Sequence, residues 1–196
     1  LTGITSFAPT YLENSIGVPP LLSGLAVAAF IVGWAIASSQ SGRIYMRRGF
    51  RFTALLGCSI TSVGAIALAL ATPWPHPVTV AAVTFVIGFG LGWIAAPTLI
   101  AAQSSVQWEE RGATTGMNVL ARAIGSAVGV AVLGAISNSI IAAGAGEHDF
   151  DTIVSATQAV FTAAAVIAVL LVPATLSMPR RIAVAPTRPP AARPSS

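Results

Sequence analysis

One arginine inside an apolar segment is the residue of this sequence best placed to do chemistry. Arg122 follows Asn118 by four residues, so the two side chains share one face of a helix. Small residues continue that face, namely Gly125, Ser126 and Gly129. A charged side chain in a membrane-length segment is costly and by default marks a functional site. The pattern makes Arg122 and Asn118 candidates for such a role. The alternatives are a packed or snorkelling structural arginine and an asparagine that hydrogen-bonds to a neighbouring helix.

The composition predicts an integral membrane protein. Charged residues make up 8% of the 196 residues and hydrophobic residues 55%, whereas soluble domains carry roughly 25% charged residues. The net charge of +4 comes from arginines that lie between apolar segments. Membrane topology explains such clusters better than nucleic-acid binding does. Cys58 is the one cysteine, which excludes an internal disulfide.

The sequence contains no pattern typical of an enzyme, a metal centre or a bound cofactor. There is no Ser/His/Asp grouping, no HExxH and no phosphate loop, and His76 and His148 fall in separate predicted loops. Glu147, Asp149 and Asp151 flank His148, but one histidine in a glycine-flanked loop makes a poor metal site. We therefore predict a protein that is not an enzyme and needs no metal or cofactor.

The apolar segments predict an all-α bundle of six membrane helices. Five of them are long enough to span a bilayer, and the first is about 21 Å long and too short. The predicted helices are residues 1–14, 20–41, 52–72, 78–103, 113–141 and 152–178, followed by a disordered tail at 179–196 rich in Pro, Ala and Arg. Because the sequence starts inside an apolar run without Met, we interpret it as a fragment that lacks an N-terminal part.

The arginines predict the orientation of the bundle. They lie in the predicted loop 42–51, at Arg111 and at Arg180–Arg181, whereas the turns around His76 and residues 147–151 contain no arginine. Arginine-rich short loops stay on the cytoplasmic side of a plasma membrane. The C-terminus is accordingly predicted to be cytoplasmic.

The third complete helix carries signals for close packing and for a distortion. Gly88 and Gly92 have GxxxG spacing, which permits a neighbouring helix to approach closely. Pro97 predicts a kink or a break, with a freed carbonyl that could belong to a binding site. Glu13 is the acidic residue of the first predicted helix, either an interfacial helix end or a carboxylate facing substrate or proton.

Two motifs resemble the drug:proton antiporter branch of the major facilitator superfamily, whose members have fourteen membrane spans. A proline-containing helix, an E-E-R-G turn and a helix like G-x-x-N-x-x-R-x-x-G-x-x-x-G are matched here. The matching residues are Pro97, Glu109, Glu110, Arg111, Gly112, Gly116, Asn118, Arg122, Gly125 and Gly129. The basic loop is similar to the signature G-x-L-x-D-R-x-G-R of the superfamily. Its residues are Gly42, Arg43, Ile44, Arg47, Gly49 and Arg51, with Met46 at the acidic position.

The resemblance implies the C-terminal six-helix half of a facilitator fold, since second halves often keep a degraded signature loop. It implies alternating-access export of drugs or other small amphipathic compounds in exchange for protons, in a bacterial inner membrane. The partners would be the lipid bilayer, the substrate, protons and the missing N-terminal half. Arg122, Asn118, Glu13 and Pro97 are the candidates for substrate binding or proton coupling. A facilitator that imports a metabolite and a truncated, non-transporting membrane remnant remain the alternatives.

Overall fold

The computed structural model describes residues 19–72, 76–143 and 150–176, and these form helices without a strand. The elements are α1 at Pro20–Ala71, α2 at Pro77–Ser104, a 3₁₀ turn at Trp108–Glu110, α3 at Arg111–Ala143 and α4 at Phe150–Leu176. Four helices are long and apolar enough to cross a membrane. The prediction of an all-α membrane bundle is confirmed. The predicted helix 1–14 with Glu13, and the predicted tail 179–196, lie outside the described residues.

Helix α1 is two membrane-length helices joined at a single residue. Its 52 residues would extend about 78 Å if straight, far beyond the roughly 30 Å core of a bilayer. Gly49 has φ 81° and ψ 171° and is its one non-helical residue. Glycine adopts this conformation at no steric cost because it lacks a Cβ. The loop predicted at 42–51 is therefore wrong in extent, because arginine and isoleucine sustain the helix up to that glycine.

Helix α2 lies between the two halves of α1. On one side, a Cβ placed on Gly92 would lie 2.5 Å from the Trp34 carbonyl oxygen. On the other side, a Cβ on Gly90 would lie 2.6 Å from the Thr61 backbone nitrogen. Trp34 precedes Gly49 and Thr61 follows it, so both halves of α1 pack along α2. The chain therefore reverses direction at Gly49.

The close approach at α2 depends on residues without a side chain. A Cβ on Gly88 would overlap the Phe30 carbonyl oxygen and lie 2.9 Å from the carbonyl carbon. Nearby, the Thr84 hydroxyl donates across the interface to the Ala26 carbonyl oxygen at 3.0 Å. Van der Waals contact and such interhelical hydrogen bonds hold membrane helices together, because lipid tails are as apolar as the side chains.

Helix α4 runs antiparallel to the second half of α1. Ala65 clusters with Ala165 and Ala168, and the Cys58 thiol lies against the Thr175 hydroxyl. Cys58 is near the Gly49 turn, so the C-terminal end of α4 lies at the same end of the bundle as that turn. The C-terminal end of α2 and the N-terminal end of α3 lie there as well. Five of the six described arginines are therefore at one end of the bundle, at positions 43, 47, 48, 51 and 111.

Candidate functional site

A short turn at the arginine-rich end fixes where α3 begins. The side-chain amide of Gln103, at the end of α2, donates to the Thr115 hydroxyl at 2.9 Å. The guanidinium of Arg111 lies 4.9 Å from the centre of the Trp108 ring. Glu109 and its neighbour precede the first turn, where negative charge favours the helix dipole. The Gln103–Thr115 hydrogen bond therefore ties the first turn of α3 to the end of α2.

One face of α3 carries its polar and small side chains, and we name this set the polar face. Its members are Thr115, Asn118, Arg122, Ser126 and Gly129. Leu133 is the one residue of α3 that is fully buried, and it joins the core cluster containing Phe161 of α4. Arg122 precedes Leu133 by eleven residues, which is three helical turns plus about 20°. The polar face therefore continues the side of α3 that packs on the bundle.

Arg122 and the glycines that follow it on α3 have open space around them among the described residues. Arg122 is exposed and Asn118 is half-buried. A Cβ added to Gly125 or Gly129 would meet no atom within 4 Å. Within the described part of the chain α3 contacts α2 and α4 but not α1. The close helix packing predicted for Gly125 and Gly129 therefore has no partner among these residues.

Arg122 has no counter-ion on the helices that surround it. Helices α1, α2 and α3 contain no Asp or Glu, and the acidic residue of α4 is Asp151 in its first turn, at the opposite end of the bundle. An arginine at membrane depth is normally paired with a carboxylate or a backbone carbonyl, or reaches the headgroups. A carboxylate partner for Arg122 can therefore come only from outside the four described helices.

Pro97 lies in a different environment from the polar face. It is buried and α2 is continuous through it, so of the two predicted alternatives, a kink and a break, the break does not occur. The proline removes the hydrogen bond that the Trp93 carbonyl would accept in a regular helix. The indole N–H groups of Trp93 and Trp34 are buried and find no acceptor among the described residues. The structure thus separates the candidates: Asn118 and Arg122 share one exposed face, whereas Pro97 is inside the α1–α2 packing.

Sequence reasoning missed a polar stripe on α4. Gln158 and Thr162 border two apolar grooves, one of about 390 Å³ against Ile66 and Leu70 of α1, and one of about 760 Å³ against Ile136 of α3. A signal was available, because Gln158 is the one glutamine within an otherwise apolar span. The grooves themselves could not be read from the sequence, since they depend on how far the helices diverge.

Comparison with known proteins identifies the family. The family model described as the Major Facilitator Superfamily matches residues 1–130. The chain belongs to the Major Facilitator Superfamily. This membership confirms the predicted superfamily and makes the chain an integral membrane protein of a transporter family, not an enzyme.

Named relatives within this superfamily come from fungi and bacteria. The MFS-type transporter clz4 of Cochliobolus lunatus is 30% identical over 69% of this chain and 24% of the relative. The multidrug transporter protein MdtP of Bacillus subtilis is 24% identical over 70% of this chain and 25% of the relative. The puromycin resistance protein pur8 of Streptomyces alboniger is 28% identical over 76% of this chain and 30% of the relative.

These matches cover only part of each relative. The matched region spans between 24% and 30% of the length of the three relatives. No solved structure matches the chain.

Proposed function

We propose that this chain is the C-terminal half of a proton-coupled exporter of drugs or other small amphipathic compounds. It works by alternating access, in which the six-helix half rocks against an N-terminal half around a shared cavity. The polar face of α3 lines that cavity, with Arg122 and Asn118 as the groups that contact substrate or couple the proton. The protein resides in a bacterial inner membrane with its arginine-rich end in the cytoplasm.

The observation that carries the proposal is the position of Arg122. It is exposed on the side of α3 that faces the bundle, and the one acidic residue of the four described helices, Asp151, is in the first turn of α4 at the opposite end of the bundle. A charge in that position is stable in a membrane when it faces a water-filled cavity or a partner in another part of the protein. A site of this kind transports cations only if carboxylates from another part of the protein take part. Glu13 or the N-terminal half would supply these carboxylates.

Two further features support the proposal, the first its export activity and the second its assignment as a C-terminal half. Relatives of this chain carry the names multidrug transporter, efflux transporter and puromycin resistance protein. The degraded signature loop, with Met46 where the superfamily has an acidic residue, fits a C-terminal half. The fourteen-span antiporter branch remains our proposal for the subfamily.

The proposed activity predicts proton-dependent efflux by the complete protein. Cells that express it and are loaded with ethidium should lose the dye several-fold faster than control cells, and a protonophore should abolish the difference. In proteoliposomes, an imposed pH gradient without other energy should drive dye transport. The measurement is dye fluorescence over time.

The outcomes separate the alternatives. Faster uptake of the dye, with no accelerated loss, would favour an importer. A stable product of 19.8 kDa that moves no dye would favour a non-transporting remnant. Efflux that survives the protonophore would contradict proton coupling while leaving export intact.

A further inference from the structure

We propose that the tip of the α1 hairpin is a binding site for the headgroup of an anionic phospholipid. The site is the arginine turn, which we define as Arg43, Arg47, Arg48 and Arg51. This inference is independent of substrate and of transport direction. It concerns what the bundle recognises in the surrounding membrane.

The backbone at Gly49 concentrates the four arginines at one point. The first half of α1 continues helically up to the residue before Gly49, and the second half starts directly after it. Arg47 and Arg48 thus end one membrane helix, and Arg51 lies in the first turn of the next. Arg43 is one turn earlier, on the same helix face as Arg47. A longer loop would have spread these charges over a wider surface.

The positive charge of the arginine turn is not neutralised by its own helix. Helix α1 contains no acidic residue. Within the described residues it does not contact the 3₁₀ turn that carries Glu109 and Glu110. Arg43, Arg47 and Arg48 are exposed to solvent, and Arg51 is half-buried. The turn therefore presents guanidinium groups that can bind a phosphate with paired hydrogen bonds.

Apolar side chains at the same tip favour a lipid over a free anion. Met46 is 82% exposed and Phe52 is 38% exposed. The guanidinium of Arg48 lies 4.8 Å from the centre of the Phe52 ring. Stacking on the ring holds Arg48 in place and leaves its N–H edge available. Apolar side chains beside cationic ones match the membrane interface, where phosphates lie directly above glycerol and acyl chains.

The arginine turn lies at the surface of the membrane. Both halves of α1 are apolar and membrane-length, so the turn between them lies where lipid phosphates are concentrated. Basic clusters immediately next to a transmembrane helix bind anionic lipids with about a five-fold gain in association per basic residue. Retention of a loop on one side of the membrane requires positive charge alone and does not require an arginine held on an aromatic ring.

Lipid selectivity of the purified complete protein tests the proposal. The protein is placed in nanodiscs of phosphatidylcholine containing spin-labelled phosphatidylglycerol or spin-labelled phosphatidylcholine, and the fraction of immobilised lipid is measured by electron paramagnetic resonance. We expect a preference for phosphatidylglycerol that falls about five-fold for each arginine removed in Arg47→Gln and Arg48→Gln. Arg111→Gln is the matched control, since Arg111 is also exposed and stacked on an aromatic ring at the same end.

Three results would overturn the proposal. The first is an unchanged preference in the doubly substituted protein. The second is an equal fall in Arg111→Gln, which would mean that total charge alone decides. The third is release of the lipid by millimolar inorganic phosphate but not by chloride at equal ionic strength, which would identify a free-anion site. If the double variant does not fold, the unmodified protein still decides, because the preference must weaken in 0.5 M salt.

Discussion

Replacing Gly88 by alanine should sharply reduce the amount of folded protein in the membrane. The new methyl group would overlap the Phe30 carbonyl oxygen and lie 3.1 Å from the Phe30 Cα. These are backbone atoms of a packed helix, which cannot rotate away as a flexible side chain can. Overpacking of this kind typically costs about 1–3 kcal/mol, whereas glycine-to-alanine in an open helix gains about 0.5–1 kcal/mol. Membrane abundance and the melting temperature in detergent measure the effect.

Gly24→Ala is the matched control for Gly88→Ala. Gly24 lies on the same helix as Phe30, and a Cβ added there would meet nothing within 4 Å. The control should be as stable as the unmodified protein or slightly more stable. If Gly88→Ala and Gly24→Ala melt at the same temperature, the close contact of α1 and α2 at Gly88 is not present in the membrane.

Replacing Arg122 by alanine should reduce efflux by the complete protein more than tenfold at normal membrane abundance. The side chain is exposed on the polar face, so its removal leaves no cavity in the core of the described helices. Its loss should therefore affect transport and not stability. Dye efflux, normalised to the amount of protein in the membrane, is the measurement.

The alternative for Arg122 is a structural arginine that reaches the headgroups. Helix α3 has 33 residues and is about 50 Å long, so it exceeds a bilayer core of roughly 30 Å at both ends. If the helix is centred, Arg122 lies only about 7 Å inside the core, within reach of the lipid phosphates. Arg122→Ala with full efflux would establish this structural role. Arg111→Ala, at the end of the same helix, is the control and should transport normally.

The sequence was sufficient to predict an all-α membrane bundle and the end of the bundle at which most of the described arginines gather. Long apolar segments separated by arginine clusters allow few arrangements in a bilayer. The composition of residues 42–51 predicts a loop of ten residues, but a single glycine, Gly49, reverses the chain. The arginine side chains around that glycine are good helix formers and continue the two helices.

The packing of the helices against one another was harder to predict, because α2 is apolar on all its faces. In such a helix the period of the apolar residues does not identify which face meets which neighbour. Glycines supplied the missing signal at Gly88 and Gly92, whose positions the structure places against α1. The same kind of signal at Gly125 and Gly129 remains a prediction, since the helix that would pack there is not among the described residues.

We propose that the polar face of α3 lines a water-filled transport pathway, and the reaction of introduced cysteines with a water-soluble reagent tests this proposal. Single cysteines are introduced into a cysteine-free background, in which Cys58 is replaced by serine. One is placed at Gly129 on the polar face, and the other at Ile124, which is exposed and lies about 140° away around the helix axis. A membrane-impermeant maleimide is then applied to membranes that contain the complete protein. We expect rapid labelling of Gly129→Cys, slowed by a transported dye, and little labelling of Ile124→Cys. Labelling of Ile124→Cys alone would place the pathway elsewhere and contradict the account.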